Sequence, residues 1–272
     1  MVRSGFSLAG MEHIFFNIAL VSYLIASLGY FVHLVYRKRF VSVLGAAAVC
    51  AGLVAQTLVI GIRAGESGHG PYTTSFEVAL FCAWMVVVVF FIVEWKYRIK
   101  DLGAFVIPLV FLILLYSAFL SQEVNHIPKS DLRLWMTLHR SLSIVGYAAF
   151  TMAFVAAVMY LIQENQLKSK KLGMMYFRMP SLDVLDKLNH KVITLGFPLF
   201  TLGFMTGSIA NMQRQLSFFS WDIVKTWPLV VTWVIYGLVF FGRLLVGWQG
   251  KRTAQGAIIG FLAVVFTYFL HV

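Results

Sequence analysis

Charged residues are scarce in this sequence: they make up 12% of 272 positions, with 11 acidic residues against 22 basic ones. Disordered chains need far more charge and far fewer apolar residues, so disorder is excluded. Six prolines and 21 glycines without a repeating period exclude collagen-like and low-complexity architectures. The two cysteines, Cys50 and Cys82, stand in separate apolar runs with no CxxC spacing. A disulfide scaffold is therefore excluded, thiol exchange has no motif, and packing is the reading for both. No Walker sequence, GxGxxG, HExxH or Ser-His-Asp pattern occurs, so no catalytic residue is assigned. No internal repeat or pair of broken helices suggests a secondary transporter.

Apolar length is what the chain has in abundance. It is 60% hydrophobic, with a mean hydropathy of +0.83 spread from end to end. A soluble fold of this size cannot bury that much apolar surface. The runs are continuous rather than alternating, which excludes a transmembrane barrel. Eight stretches are long enough to cross about 30 Å of hydrocarbon: 13–36, 40–62, 73–95, 102–120, 134–162, 190–210, 227–246 and 254–271. The expected fold is an all-α polytopic membrane bundle of eight transmembrane helices, forming a single integral membrane domain over 1–272. The first stretch is too long for a cleaved signal and is expected to remain as a span.

The basic residues lie between the spans, and their distribution sets the expected sidedness. Connections after the first, third, fifth and seventh spans hold fifteen of them, among them Arg37–Arg39, Lys96–Lys100, Lys168–Lys191 and Arg243–Arg252. The termini and the other connections hold seven: Arg3, Arg63, Lys129, Arg133, Arg140, Arg214 and Lys225. Positive-inside reasoning then puts both termini outside, together with segments 63–72, 121–133 and 211–226. The same argument reads the net charge of +11 as a membrane signature, with no nucleic-acid partner. On the cytoplasmic side, Ser181–Leu188 is expected to form a short amphipathic helix after Pro180.

Histidines at helix ends are the residues with chemical reach. His139 opens the fifth span and His271 closes the eighth, both on the expected outer face. Two imidazoles held opposite each other supply the axial ligands of a haem iron, although an interfacial histidine is also an ordinary amphipathic anchor. His13, His69 and His126 compete on the same side, while His33 and His190 fall near the cytoplasmic face. Segment 211–226 mixes Arg214, Phe219, Trp221, Asp222 and Lys225 and ends against Trp227. Such a mixture suits an aromatic belt at the interface. It equally suits a flat macrocycle whose carboxylates pair with Arg214 or Lys225 and whose rings stack on Phe219, Trp221 or Trp227. Glu77, a few residues into the third span, is either a functional intramembrane carboxylate or a helix cap.

Several of these stretches together resemble the cytochrome c assembly family, in its CcsA/ResC branch with the smaller HemX-type relatives. They are Gly68-His69-Gly70-Pro71-Tyr72-Thr73-Thr74-Ser75-Phe76-Glu77, Leu138-His139-Arg140-Ser141 with Gly146-Tyr147, Leu195-Gly196-Phe197-Pro198-Leu199, and Trp221-Asp222 with Thr226-Trp227. The resemblance implies that His139 and His271 are axial ligands of a b-type haem carried as cargo. It further implies that the tryptophan-rich external segment cradles that haem for delivery to apocytochrome c. The box of this chain departs from the family pattern: Gln215 and Leu216 stand for Trp-Gly, Phe219 for the middle Trp, and Ile223-Val224-Lys225 for Pro-Lys-Glu. A span histidine of the larger synthases is Phe241 here.

Two functions follow from the resemblance. In the first, the chain is a haem-handling component of a cytochrome c haem-lyase complex in a bacterial inner (cytoplasmic) membrane. Its partners would be the lipid bilayer, a ResB/CcsB-type membrane protein and apocytochrome c, and it would not be an enzyme on its own. In the second, it is a HemX-type regulator of tetrapyrrole synthesis that acts on glutamyl-tRNA reductase through the cytoplasmic segment 163–189.

Overall fold

The computed structural model describes residues 8–97, 99–124, 133–170, 173–174, 176–213 and 223–271, and every regular element among them is helical. In chain order the helices are α1 (Leu8–Tyr36), α2 (Arg39–Ser67), α3 (Ser75–Tyr97), α4 (Gly103–Ser117), α5 (Arg133–Lys168), α6 (Leu182–Gln213), α7 (Ile223–Val246) and α8 (Lys251–His271), with a 3-10 turn at Lys100–Leu102. Six of them carry segments long and apolar enough to cross a membrane: Gly10–Tyr36, Arg39–Ser67, Ser75–Tyr97, Leu134–Lys168, Leu182–Ala210 and Trp227–Val246. The chain is thus a multi-pass membrane protein. The fourth expected span is the short one, because α4 has 15 residues and rises only about 22 Å. It contains Pro108 and gives way to a turn at Ala118. The eighth, α8, has 21 residues and opens on Lys251 and Arg252.

Helix ends depart from the expected ones for local reasons. Arg63, expected in an outer connection, lies inside α2, which runs on to Ser67. Gly68 then ends the helix with φ 72, its N–H bonded to the Ala64 carbonyl at 3.0 Å. Only a residue without a Cβ adopts that left-handed conformation at no cost. The expected amphipathic helix at 181–188 is no separate element but the opening turns of α6, because nothing between Leu188 and His190 breaks the helix. Likewise Ile223–Thr226, expected in the loop, already belongs to α7.

The chain divides into two compact units, 1–91 with 100–128 and 92–99 with 129–272. In the first, α1 packs along α2 and against α4. A polar thread joins three helices. The Tyr23 hydroxyl donates to Gln56 Oε1 at 2.8 Å, and Gln56 Nε2 donates to the Leu80 carbonyl at 2.9 Å.

Arg63 is the centre of a second, charged cluster in this unit. Its Nη1 donates to Glu12 Oε1 at 2.7 Å and its Nε to Glu77 Oε1 at 3.3 Å. Nη1 and Nη2 also donate to the carbonyls of Gln122 and Glu123, each at 3.1 Å. The Phe76 ring lies 4.8 Å beneath the guanidinium. Side-chain exposure is 1% for Arg63, 8% for Glu12 and 0% for Glu77, so water screens none of these charges. Arginine suits the position because its fork spreads several donors over separated acceptors.

The second unit contains α5–α8, with successive helices antiparallel. Close contacts between α5 and α6 run from Ala153–Asn189 through Ala149–Gly196 to Gly146–Phe200, so the two backbones run in opposite directions. Phe154 stacks on Phe261 with centroids 4.3 Å apart, and Tyr160 lies over Gly250, which makes α8 antiparallel to α5. Phe150 stacks on Tyr236 at 3.5 Å, and Tyr236 donates from its hydroxyl to the Ala257 carbonyl at 3.2 Å. One end is tied by Asp186, whose Oδ1 accepts from Arg243 Nη1 and the Gly250 N–H, both at 2.8 Å, and from Thr253 Oγ1 at 3.3 Å.

Breaking a buried ion pair by removing one partner costs about 3–5 kcal/mol, because the other charge is left without compensation. Arg63→Ala strands two buried carboxylates and is expected to lower the melting temperature in detergent by more than Glu77→Gln does. The amide oxygen of the latter still accepts from residues 73 and 74. A melting temperature for Arg63→Ala equal to that of the unaltered protein would show that the cluster does not hold the first unit together.

Candidate functional site

The opening turns of α5 carry His139, and α6 faces it with Gly203-Phe204-Met205-Thr206-Gly207. Small residues four apart on an apolar helix let a neighbouring backbone approach closely. The fit is tight at both glycines. A Cβ at Gly203 would lie 2.9 Å from the Ser143 backbone nitrogen, and one at Gly207 would lie 2.6 Å from His139 Nδ1. The imidazole thus lies flat against a helix face that only glycine leaves open.

Nδ1 of His139 is 2.7 Å from the Gly203 carbonyl oxygen. A carbonyl only accepts, so Nδ1 carries the proton and donates it, and in the neutral ring the lone pair sits on Nε2. Histidines that ligate metals commonly donate their second ring nitrogen to a carbonyl or carboxylate in this way. The donor chemistry of His139 therefore fits axial ligation of a haem iron through Nε2. Thr206 Oγ1 lies 2.9 Å from the same carbonyl and 2.9 Å from that of Leu202.

The other candidates fall into separate groups. His271 is the last residue of α8, and its side chain lies outside the described residues. Because α8 runs antiparallel to α5, its C-terminus reaches the end of the unit where α5 begins. Trp227, 64% exposed, stands near the start of α7 at that same end. Thr232 and Thr267 meet at 3.3 Å, so Trp227 and His271 each lie about a turn beyond that pair. Arg214, Phe219, Trp221 and Asp222 lie outside the described residues.

Glu77 belongs to the first unit and acts there in two ways. Its backbone N–H donates to Thr74 Oγ1 at 3.2 Å, while its Oε2 accepts from the N–H groups of Thr73 and Thr74 at 2.9 and 3.4 Å. That is a reciprocal capping box at the start of α3, built by a carboxylate that Arg63 also holds. Among the remaining histidines, His13 is exposed. His33 Nδ1 bonds the Lys38 carbonyl, His69 Nδ1 the Gly70 carbonyl, and His190 Nδ1 pairs with Thr194 Oγ1. His126 lies outside the described residues. Phe241 is half-exposed and packs edge-on to Phe197.

Sequence reasoning missed the partners of both key residues. The spacing Gly203-x-x-x-Gly207 in an apolar run was the available signal for a close helix contact at His139. Thr74-x-x-Glu77 was likewise a readable capping box. Nothing in sequence paired Arg63 with Glu12, 51 residues away.

Known proteins resemble this chain along nearly its whole length. It is 26% identical to the cytochrome c biogenesis protein CcsA of Guillardia theta, over 93% of this chain and 90% of that one. The CcsA of a Synechocystis species is 25% identical over 96% and 95% of the two chains. That of Synechococcus elongatus is 27% identical over 84% of each. The pattern of the family described as cytochrome C assembly protein matches residues 72–271, a stretch that includes His139, Trp227 and His271. This chain belongs to the cytochrome c assembly protein family.

Proposed function

We propose that the chain is a haem-handling membrane protein of cytochrome c biogenesis, binding haem at the outer face and presenting it to apocytochrome c. The observation that carries this reading is the Nδ1–carbonyl bond of His139, at the end of the second unit that Trp227 and the C-terminus of α8 share. The near full-length likeness to CcsA proteins supports it.

In this reading the chain forms a single integral membrane domain of eight spans with both termini outside. It resides in a bacterial cytoplasmic membrane and works with a separate ResB/CcsB-type protein. His139 and His271 are the axial ligands. Trp221 and Trp227 stack on the porphyrin together with Phe219, Arg214 pairs a propionate, and Asp222 completes the aromatic segment. Bound haem supplies an iron with two axial positions and a porphyrin edge to be offered to the client. The chain's own part is to bind and orient. His139 is held by α6 at a defined depth, and helix-borne ligands keep such positions better than loop-borne ones. Positioning of this kind needs neither a general acid nor a nucleophile from this chain.

Two measurements test the reading. The reduced-minus-oxidised absorption spectrum of the detergent-purified protein is expected to show a low-spin haem that the His139→Ala, His271→Ala double variant loses; retention of that signal would overturn the ligand assignment. Trp221→Ala is expected to lower haem occupancy several-fold, since one aromatic stacking contact is worth about 0.5–1.5 kcal/mol, while membrane insertion stays unchanged. Full occupancy in that variant would reduce the aromatic segment to an interfacial belt.

A further inference from the structure

We infer that α6 is the positioning element for His139: the Gly203 carbonyl selects the Nδ1–H tautomer, and the bare face at Gly207 seats the ring so that Nε2 is the nitrogen offered to a metal. The inference deepens the haem-ligand reading and rests on it for its purpose, but the tautomer itself is a property of the haem-free chain.

Three observations carry it. The 2.7 Å contact is short for an N–H···O bond, and its acceptor has no alternative role as a donor. The ring has no room to turn away on this side, since even a methyl group at Gly207 would stand 2.6 Å from Nδ1, 2.8 Å from Cε1 and 3.1 Å from Cγ. The acceptor itself is fixed, because Gly203 is buried against Ser143 and sits within a continuous helix. In water a neutral imidazole favours the opposite tautomer, with the proton on Nε2. A ring without this carbonyl would have to move its proton before binding iron through that atom. With it, the lone pair already sits on Nε2, and a carbonyl accepting from Nδ1–H also makes that atom a stronger donor.

Gly207 is accordingly a positioning residue, and Ala is the smallest change that disturbs it. The test uses the full chain in detergent at pH 8, without haem, with 15N in the imidazole rings and His139→Ala to assign the signals. The nitrogen shifts of His139 are expected to show a protonated Nδ1 and an unprotonated Nε2, and Gly207→Ala is expected to move the population toward the Nε2–H form. Hemin titration of Gly207→Ala should then show affinity weakened about 10–100-fold, the usual loss when an outer-shell partner of a ligand is disturbed. An Nε2–H tautomer in the unaltered protein overturns the inference even if the variant fails to fold. Unchanged shifts in Gly207→Ala overturn it too. A low-spin hemin spectrum that persists in His139→Ala sinks the ligand reading instead, and the tautomer result stands apart from that outcome.

Discussion

In hydrocarbon, apolar contact between helices is worth little, because lipid tails are as apolar as leucine. What holds such helices together is close approach at small residues and hydrogen bonds between buried polar groups. Both the His139 seat and the Arg63 cluster depend on that constraint. The first unit answers it with polar threads: Tyr23 to Gln56 to the Leu80 carbonyl, and Arg63 among Glu12, Glu77 and two carbonyls. The second answers it with glycines, at Gly146, Gly196, Gly203 and Gly207 on the α5–α6 contact. The candidate ligand grows out of the same device, since the glycine spacing that brings α6 close to α5 also makes the seat for the His139 ring.

The second unit is polarised along its length. One end is knotted by Asp186, which gathers the end of α7, the following turn and the start of α8 on one carboxylate. The turn itself needs glycine, with Gly247 at φ 72 and the Trp248 N–H bonded back to the Gly242 carbonyl at 3.1 Å. His139, Trp227 and the end of α8 occupy the opposite end. The carboxylate knot and the described candidate ligands thus sit at opposite ends of the unit.

Much of the fold could be read in advance, because membrane spans write themselves as long apolar runs. His139 and Glu77 also stood out, as polar residues near the ends of such runs. What stayed hidden has physical reasons. Hydropathy places a helix end where polarity begins, so it stopped the second span before Arg63, although the chain keeps its helix to Ser67 and buries the charge. It also split α6 at the polar residues around Asn189, although the helix runs on through it and its amide nitrogen donates to the Ala153 carbonyl at 2.9 Å. Long-range pairing has no sequence period, so neither Arg63 with Glu12 nor His139 with Gly203 could be deduced from either residue alone.

The Arg63 cluster bears on how the chain enters the membrane in the first place. Glu12, Arg63 and Glu77 arrive on three different helices, α1, α2 and α3. All three stand near helix ends, and a charge without a partner is costly wherever it is held out of water. Each helix alone therefore carries a charge that the bilayer resists, and only when all three stand at matching depth does the resistance turn into attraction. A helix set too deep or too shallow would leave its charge without a partner, so the pairing ties the relative depth of the three helices to the compensation of their charges.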